Sequence, residues 1–107
     1  MDAAAQNDPL LKRFRAAVSQ AYGPLVERVV LYGSRARGDA RPDSDYDVAV
    51  FLRDMPERAK DMNRLADIAT DLLYELGGVI HAAPYRAGSY HDRTPLMHEI
   101  RLDGVDL

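Results

Sequence analysis

The sequence predicts an α/β (α+β) fold, with a small sheet packed between helices. Three observations lead there. Apolar residues recur at helical spacing in two stretches, near 10–22 and 62–76. Short apolar runs fall at 28–32, 46–52 and 79–83, the first and last stopped by glycine and proline. The two kinds of segment are interleaved in the order helix, strand, loop, strand, helix, strand, helix.

Asp8-Pro9 opens the first helix, with Asp as N-cap and Pro at the first helical position. Leu10, Leu11, Phe14, Val18 and Tyr22 then recur on one face, and Gly23-Pro24 ends the run. Arg28–Tyr32 is a short apolar strand stopped by Gly33. A polar stretch rich in Arg, Asp and Gly follows from Ser34 to Ser44. Tyr46–Leu52 is the second strand, with Val48 and Val50 on one face and Ala49 and Phe51 on the other. Both faces are apolar, so this strand is expected to be central.

Met62, Leu65, Ala66, Ala69, Leu72, Leu73 and Leu76 form the clearest amphipathic stripe, read as core packing, and Gly77-Gly78 closes that helix. Val79–Ala83 is a third strand, expected to end at Pro84. Pro95, Leu96, Met97 and Ile100 predict a last short helix before Asp103-Gly104. The Tyr90-His91-Asp92-Arg93 cluster is read as the polar entry to that helix, with Asp92 as a candidate cap.

A chain of 107 residues is the size of one compact domain, and 1–107 is expected to be a single unit. Its 14 basic and 17 acidic residues leave a net charge of −3, which argues against direct nucleic-acid binding. With no cysteine, disulfides and thiolate metal sites are excluded. Met1 to Asp8 lacks the pattern of a signal peptide, and no apolar run approaches the ~20 residues of a membrane span. A soluble, cytoplasmic protein without membrane association is the expectation.

The chemistry lies in Leu31-Tyr-Gly-Ser-Arg-Ala-Arg-Gly-Asp-Ala-Arg-Pro-Asp-Ser-Asp-Tyr-Asp47. Gly33 follows a strand, where a residue without a side chain lets the backbone approach a bound group. Ser34 adds a hydroxyl, and residues 34–38 can start a short helix whose N–H groups face an anion. Asp45 and Asp47, spaced by two at the start of a strand, place both carboxylates on one face. Such a pair near phosphate-binding amides suits Mg²⁺ shared with a triphosphate. A lone Gly-Ser is usually a turn, and a lone Asp-x-Asp usually a solvated strand start; the linked pattern is rarer. Of the interleaved arginines, Arg37 is the preferred triphosphate contact. Arg35 and Arg41 are read as a solvated basic loop balancing Asp39 and Asp43.

Gly33-Ser34-x10-Asp45-x-Asp47 resembles the signature of the DNA polymerase β-like nucleotidyltransferase superfamily, and the short length resembles its minimal (MNT) branch. The resemblance covers nearly the whole chain. It implies a mixed sheet flanked by helices, Mg²⁺ at Asp45 and Asp47, and ATP against Gly33 and Ser34. It also implies a HEPN-domain toxin as partner, with AMP transferred to one of its tyrosines and the MNT protein acting as antitoxin. The superfamily's third carboxylate, on a later strand, has no counterpart in 79–83; His81 falls at that position. A neutral imidazole, with an ordinary pKa of about 6.5, can act as general base but adds no negative charge for a second metal. The alternative to transfer is an antitoxin with weak or no catalysis that neutralises its partner by binding.

Overall fold

The computed structural model describes residues 3–107. Nine helices and strands are seen among them: α1 (Ala3–Asn7), α2 (Pro9–Tyr22), β1 (Val26–Tyr32), α3 (Ser34–Arg37), β2 (Tyr46–Leu52), α4 (Arg58–Leu76), β3 (Ile80–Arg86), α5 (Pro95–Asp103) and β4 (Val105–Asp106). Two 3-10 turns, Gly23–Leu25 and Ala87–His91, lead into β1 and out of β3. The sheet is mixed, in the order β3-β2-β1-β4. β1 runs antiparallel to both β2 and β4, and β2 runs parallel to β3. The parallel pair needs a long crossover, and α4 supplies it.

β2 is central, and its two faces go to different layers. Val48, Val50 and Leu52 join Val29, Leu31 and Ile80 beneath α2 and α4, where Phe14, Val18, Leu65 and Leu72 meet them. Ala49 and Phe51 join Val30 on the opposite face, beneath Met97 and Ile100 of α5. Asp8 caps α2 as expected, accepting from the Leu10 N–H at 2.9 Å. Gly77 ends α4 in a left-handed conformation (φ 85°), which costs a glycine little.

Four expectations are corrected. Pro84 does not end the third strand, which continues to Arg86 with Pro84 opposite Val50. β3 is an edge strand, where a missing N–H is tolerated. The Val79 carbonyl accepts from Tyr46 N–H at 2.9 Å, so alternation turns the backbone of residue 84 away from β2. Second, the stripe on α4 is only partly core: Leu65, Ala69 and Leu72 are buried, whereas Ala66, Leu73 and Leu76 are exposed and Met62 is half-buried. The apolar stripe is wider than the surface that meets it, which comes mainly from α2 and β3.

Third, Thr94, not Asp92, caps α5, accepting from the Met97 N–H at 3.2 Å. Fourth, the 90–93 cluster is not merely a polar entry. Tyr90 stacks edge-on to Phe51 at 5.4 Å between ring centres, with the Arg28 guanidinium 3.8 Å from its own ring centre. The elements α1 and β4 had no prediction. β4 has two residues, and its place comes from pairing with Val30 and Leu31 rather than from any local pattern. Among the described residues no helix is long and apolar enough to cross a membrane.

Candidate active site

β1 delivers the chain to Gly33, and the antiparallel pairing sets Tyr32 opposite Asp47. Gly33 has φ 75° and ψ −157°, and a methyl group built on it would lie 2.6 Å from Oδ2 of Asp47. Both facts demand glycine: the backbone angle disfavours any L side chain, and the Asp47 carboxylate occupies the space a Cβ would need. Two halves of the motif, distant in sequence, therefore meet in direct contact.

Ser34 starts α3, a four-residue helix whose Ala36 and Arg37 N–H groups both bond to the Gly33 carbonyl at 3.1 Å. The N–H groups of Ser34 and Arg35, at the helix start, have no partner within the helix. So short a helix carries little macrodipole; what it offers an anion is these N–H groups and the Ser34 hydroxyl.

Asp47 and His81 are partners across the parallel β2–β3 pair, so their side chains emerge on the same face. Asp45, two residues before Asp47, projects there as well, and its Oδ2 lies 2.7 Å from Nε2 of His81. Burial pushes the Asp47 carboxyl above the usual carboxylate range, and the nearby Asp45 adds to this, while His81 and Arg37 pull it down. Burial also pushes the Tyr32 phenol up to about 12, helped by Tyr85, Asp47 and Glu99. Tyr32 thus stands between Asp47 and Glu99, acted on by both. Tyr32 could have been found as the residue before Gly33; Glu99, on α5, gives no signal in the sequence.

Arg37 faces carboxylates: Asp39 at 3.2 Å, Asp103 at 3.5 Å and Glu99 at 3.8 Å. Arg35 faces carbonyls and the Tyr46 ring, and is no freely solvated side chain. Arg41 is exposed, and its N–H bonds to Ser44 Oγ at 2.9 Å. A cleft of about 520 Å³ opens beside Asp45, lined among others by Asp8, Arg35, Ser44, Tyr46 and Val79.

Among the described residues no group of three or more His, Asp or Glu side chains is arranged to hold a metal. The two aspartates nevertheless fit Mg²⁺, which characteristically takes one or two carboxylates and completes its shell with water and substrate phosphates.

A mixed sheet that sets a Gly-Ser turn against an Asp-x-Asp strand places the chain in one structural class, and the comparisons agree. The chain belongs to the nucleotidyltransferase domain family, whose model matches residues 11–87. It is 34% identical over 98 residues to "Putative protein adenylyltransferase MJ0141" of Methanocaldococcus jannaschii, covering 92% of this chain and 95% of that protein. The fold is shared with a toxin-antitoxin crystal structure containing AMP-PNP (TM-score 0.62, 18% identity, 87% of this chain and 68% of the other). It is shared too with a complex of the tri-AMPylated Shewanella oneidensis HEPN toxin and its MNT antitoxin (TM-score 0.54, 16% identity, 91% and 70%).

Proposed function

We propose that the chain, as one minimal nucleotidyltransferase domain spanning 1–107, transfers AMP from ATP to a protein hydroxyl in a Mg²⁺-dependent reaction. The acceptor in this reading is a tyrosine of a HEPN-domain toxin, and the chain is its antitoxin. The observation that carries the reading is the meeting of Gly33 with Asp47, which sets the turn proposed to receive the triphosphate against a carboxylate proposed to hold the metal. Support for the acceptor comes from the AMPylated HEPN toxin of the similar complex and from the adenylyltransferase name of the archaeal relative.

Gly33 admits the triphosphate close to the backbone, and Ser34 donates to it. Asp45 and Asp47 would hold Mg²⁺, which when bound supplies positive charge against the phosphate oxygens. The acceptor oxygen attacks the α-phosphorus, the bond to the bridging oxygen breaks, and pyrophosphate leaves. In this reading His81 takes the hydroxyl proton. With Asp45 as acceptor, Nε2 carries the hydrogen and Nδ1 keeps the lone pair, so the carboxylate selects the tautomer that can act as a base. Arg37, beside Asp47 electrostatically, would exchange its carboxylate partners for phosphate oxygens.

A second reading is favoured by one observation: β3 (Ile-His-Ala-Ala-Pro-Tyr-Arg) carries no acid, so the centre has one carboxylate fewer than the superfamily pattern. In it the chain neutralises its partner by occlusion. Intact-mass spectrometry of a HEPN partner incubated with the chain, Mg²⁺ and ATP separates the two. Addition of AMP units, lost with Asp45→Ala/Asp47→Ala, is the expected result. A stable complex with no added mass would leave occlusion as the function.

A further inference from the structure

Between α3 and β2 the chain runs through residues 38–45 without helix or strand. This segment must nevertheless deliver Asp45 to His81 and lead into Asp47, which lies against Gly33. Its own bonding is slight: a turn closed by the Ser44 N–H on the Arg41 carbonyl (3.0 Å) and by the Arg41 N–H on Ser44 Oγ (2.9 Å). Its start is held by the Gly38 and Asp39 N–H groups on the Ser34 carbonyl (3.0 and 3.2 Å) and by Arg37 on Asp39. Its end is held by Asp45 on His81, and the stretch from Pro42 to Ser44 by one further side chain. Arg35 Nε and Nη2 both donate to the Ser44 carbonyl, at 3.1 and 2.7 Å, and Nη2 also donates to the Pro42 carbonyl at 3.1 Å. The same guanidinium lies 4.3 Å from the centre of the Tyr46 ring.

We propose that Arg35 is a positioning residue, which clamps the loop ahead of Asp45 and so keeps the Asp45/Asp47 pair in register with the Gly33-Ser34 turn. The inference rests on reading Asp45 and Asp47 as the metal-holding pair. The Ser44 carbonyl, which accepts from Arg35, belongs to the peptide that leads into Asp45, and Tyr46 lies between the two acids. Arg35 therefore grips the chain on both sides of Asp45, from a helix whose first residue is Ser34. Tyr46 is anchored in turn: its hydroxyl donates to Asp8 Oδ2 at 2.8 Å, while Asp8 Oδ1 caps α2. The site is thereby tied to the first turn of a 14-residue helix.

The residue type matters. Two donors converging on one carbonyl with a third contact beside it need the planar fork of arginine, and stacking on Tyr46 uses the same plane. Lysine carries its three donors on one atom and has neither the coplanar pair nor the flat face. Arg35 and Arg37, two residues apart, thus take different work: Arg35 meets neutral carbonyls and a ring, Arg37 meets carboxylates.

The test compares the unmodified chain with Arg35→Lys, Arg35→Gln and Tyr46→Phe. Amide hydrogen exchange of the metal-free protein is expected to quicken over 39–45 in both Arg35 variants, with α2 and α4 unchanged. Mn²⁺ titration followed by electron paramagnetic resonance is expected to show roughly tenfold weaker binding, in the range seen when groups supporting metal ligands are lost. The KM for ATP should stay within about twofold. Tyr46→Phe keeps the ring and loses the Asp8 bond, so it should shift both readouts in the same direction by less; it also serves if Arg35→Gln does not fold. Unchanged exchange over 39–45 overturns the clamp. So does a raised KM for ATP with Mn²⁺ binding intact, which would make Arg35 a direct phosphate contact. If the unmodified chain binds no Mn²⁺, the metal reading of the aspartates fails, while the exchange data still decide whether Arg35 holds the loop.

Discussion

Beneath α2 and α4, the sheet face that carries Val48, Val50 and Leu52 is sealed at those three positions, all fully buried, and only its Tyr46 end is half-exposed. The opposite face is covered by α5 and the aromatic rings of Tyr85 and Tyr90 only over the Ala49–Phe51 end; at the other end it gives way to Asp47, Asp45 and His81. A single strand, β2, supplies both faces. Its even-numbered residues from Val48 to Leu52 are buried, and its odd-numbered residues pass from core to site within a few positions. Stability and chemistry are separated here by strand alternation, so changes on the sealed face should act on folding and changes at the open end on transfer.

The sharpest break in that comparison is Asp45→Ala/Asp47→Ala. Transfer is expected to fall on the order of a thousandfold or more, the loss seen when charge stabilisation at a reacting centre is removed. Pyrophosphate release measures this, and the melting temperature should change little, because Asp45 is exposed and the half-buried Asp47 belongs to neither hydrophobic cluster. A large loss of Tm would mean that the open end also holds the fold.

On the sealed face, Phe14 is fully buried, and Phe14→Ala is expected to cost about 3–5 kcal/mol in urea unfolding. Transfer per folded molecule should be preserved. A loss of intrinsic activity would show that the two faces are coupled.

Gly33→Ala falls at the junction. The methyl group meets both a positive φ and the Asp47 carboxylate. A shift of about 1 Å at a reacting centre can cost roughly a hundredfold in rate. The expected outcome is a loss of that order in kcat with a destabilisation of about 1–2 kcal/mol from the backbone alone. An unaffected kcat would separate Gly33 from the site.

The smallest effect concerns Tyr22 on the sealed face. Burial, and the bond its hydroxyl donates to Asp61 at 2.9 Å, push its phenol up to about 12 from an ordinary 10.0. The fold thus favours the protonated phenol. That contribution is complete below pH 10 and is lost as pH rises through about 12. Tyr22→Phe should lose about 1 kcal/mol at neutral pH, from the bond to Asp61. It should then decline less than the unmodified chain between pH 9 and 11, as urea midpoints at those values would show.

Much of this arrangement was legible in the residues. Tyr46–Leu52 is a strand over the predicted range, since alternation with both faces apolar leaves a central position as its only comfortable place. Asp8-Pro9 and Gly77 mark helix ends because capping is local chemistry. Gly33, Asp45 and Asp47 stood out because their spacing is linear. His81 was placed by resemblance, and the parallel register with Asp47 brings it to Asp45.

Other features depend on partners far along the chain. Pro84 looks like a strand end until β3 is known to lie at the sheet edge. The α4 stripe looks like core until the width of the layer over it is known, and Leu73 and Leu76 then stand exposed. Arg35 looks like a solvated charge until the loop folds back and offers it two carbonyls. Local sequence decides where the chain can be helical or extended, and which residues have the chemistry for phosphate and metal. Which faces are covered, and which arginine grips carbonyls rather than carboxylates, follows from long-range packing, because burial and hydrogen bonding belong to pairs of segments and not to either alone.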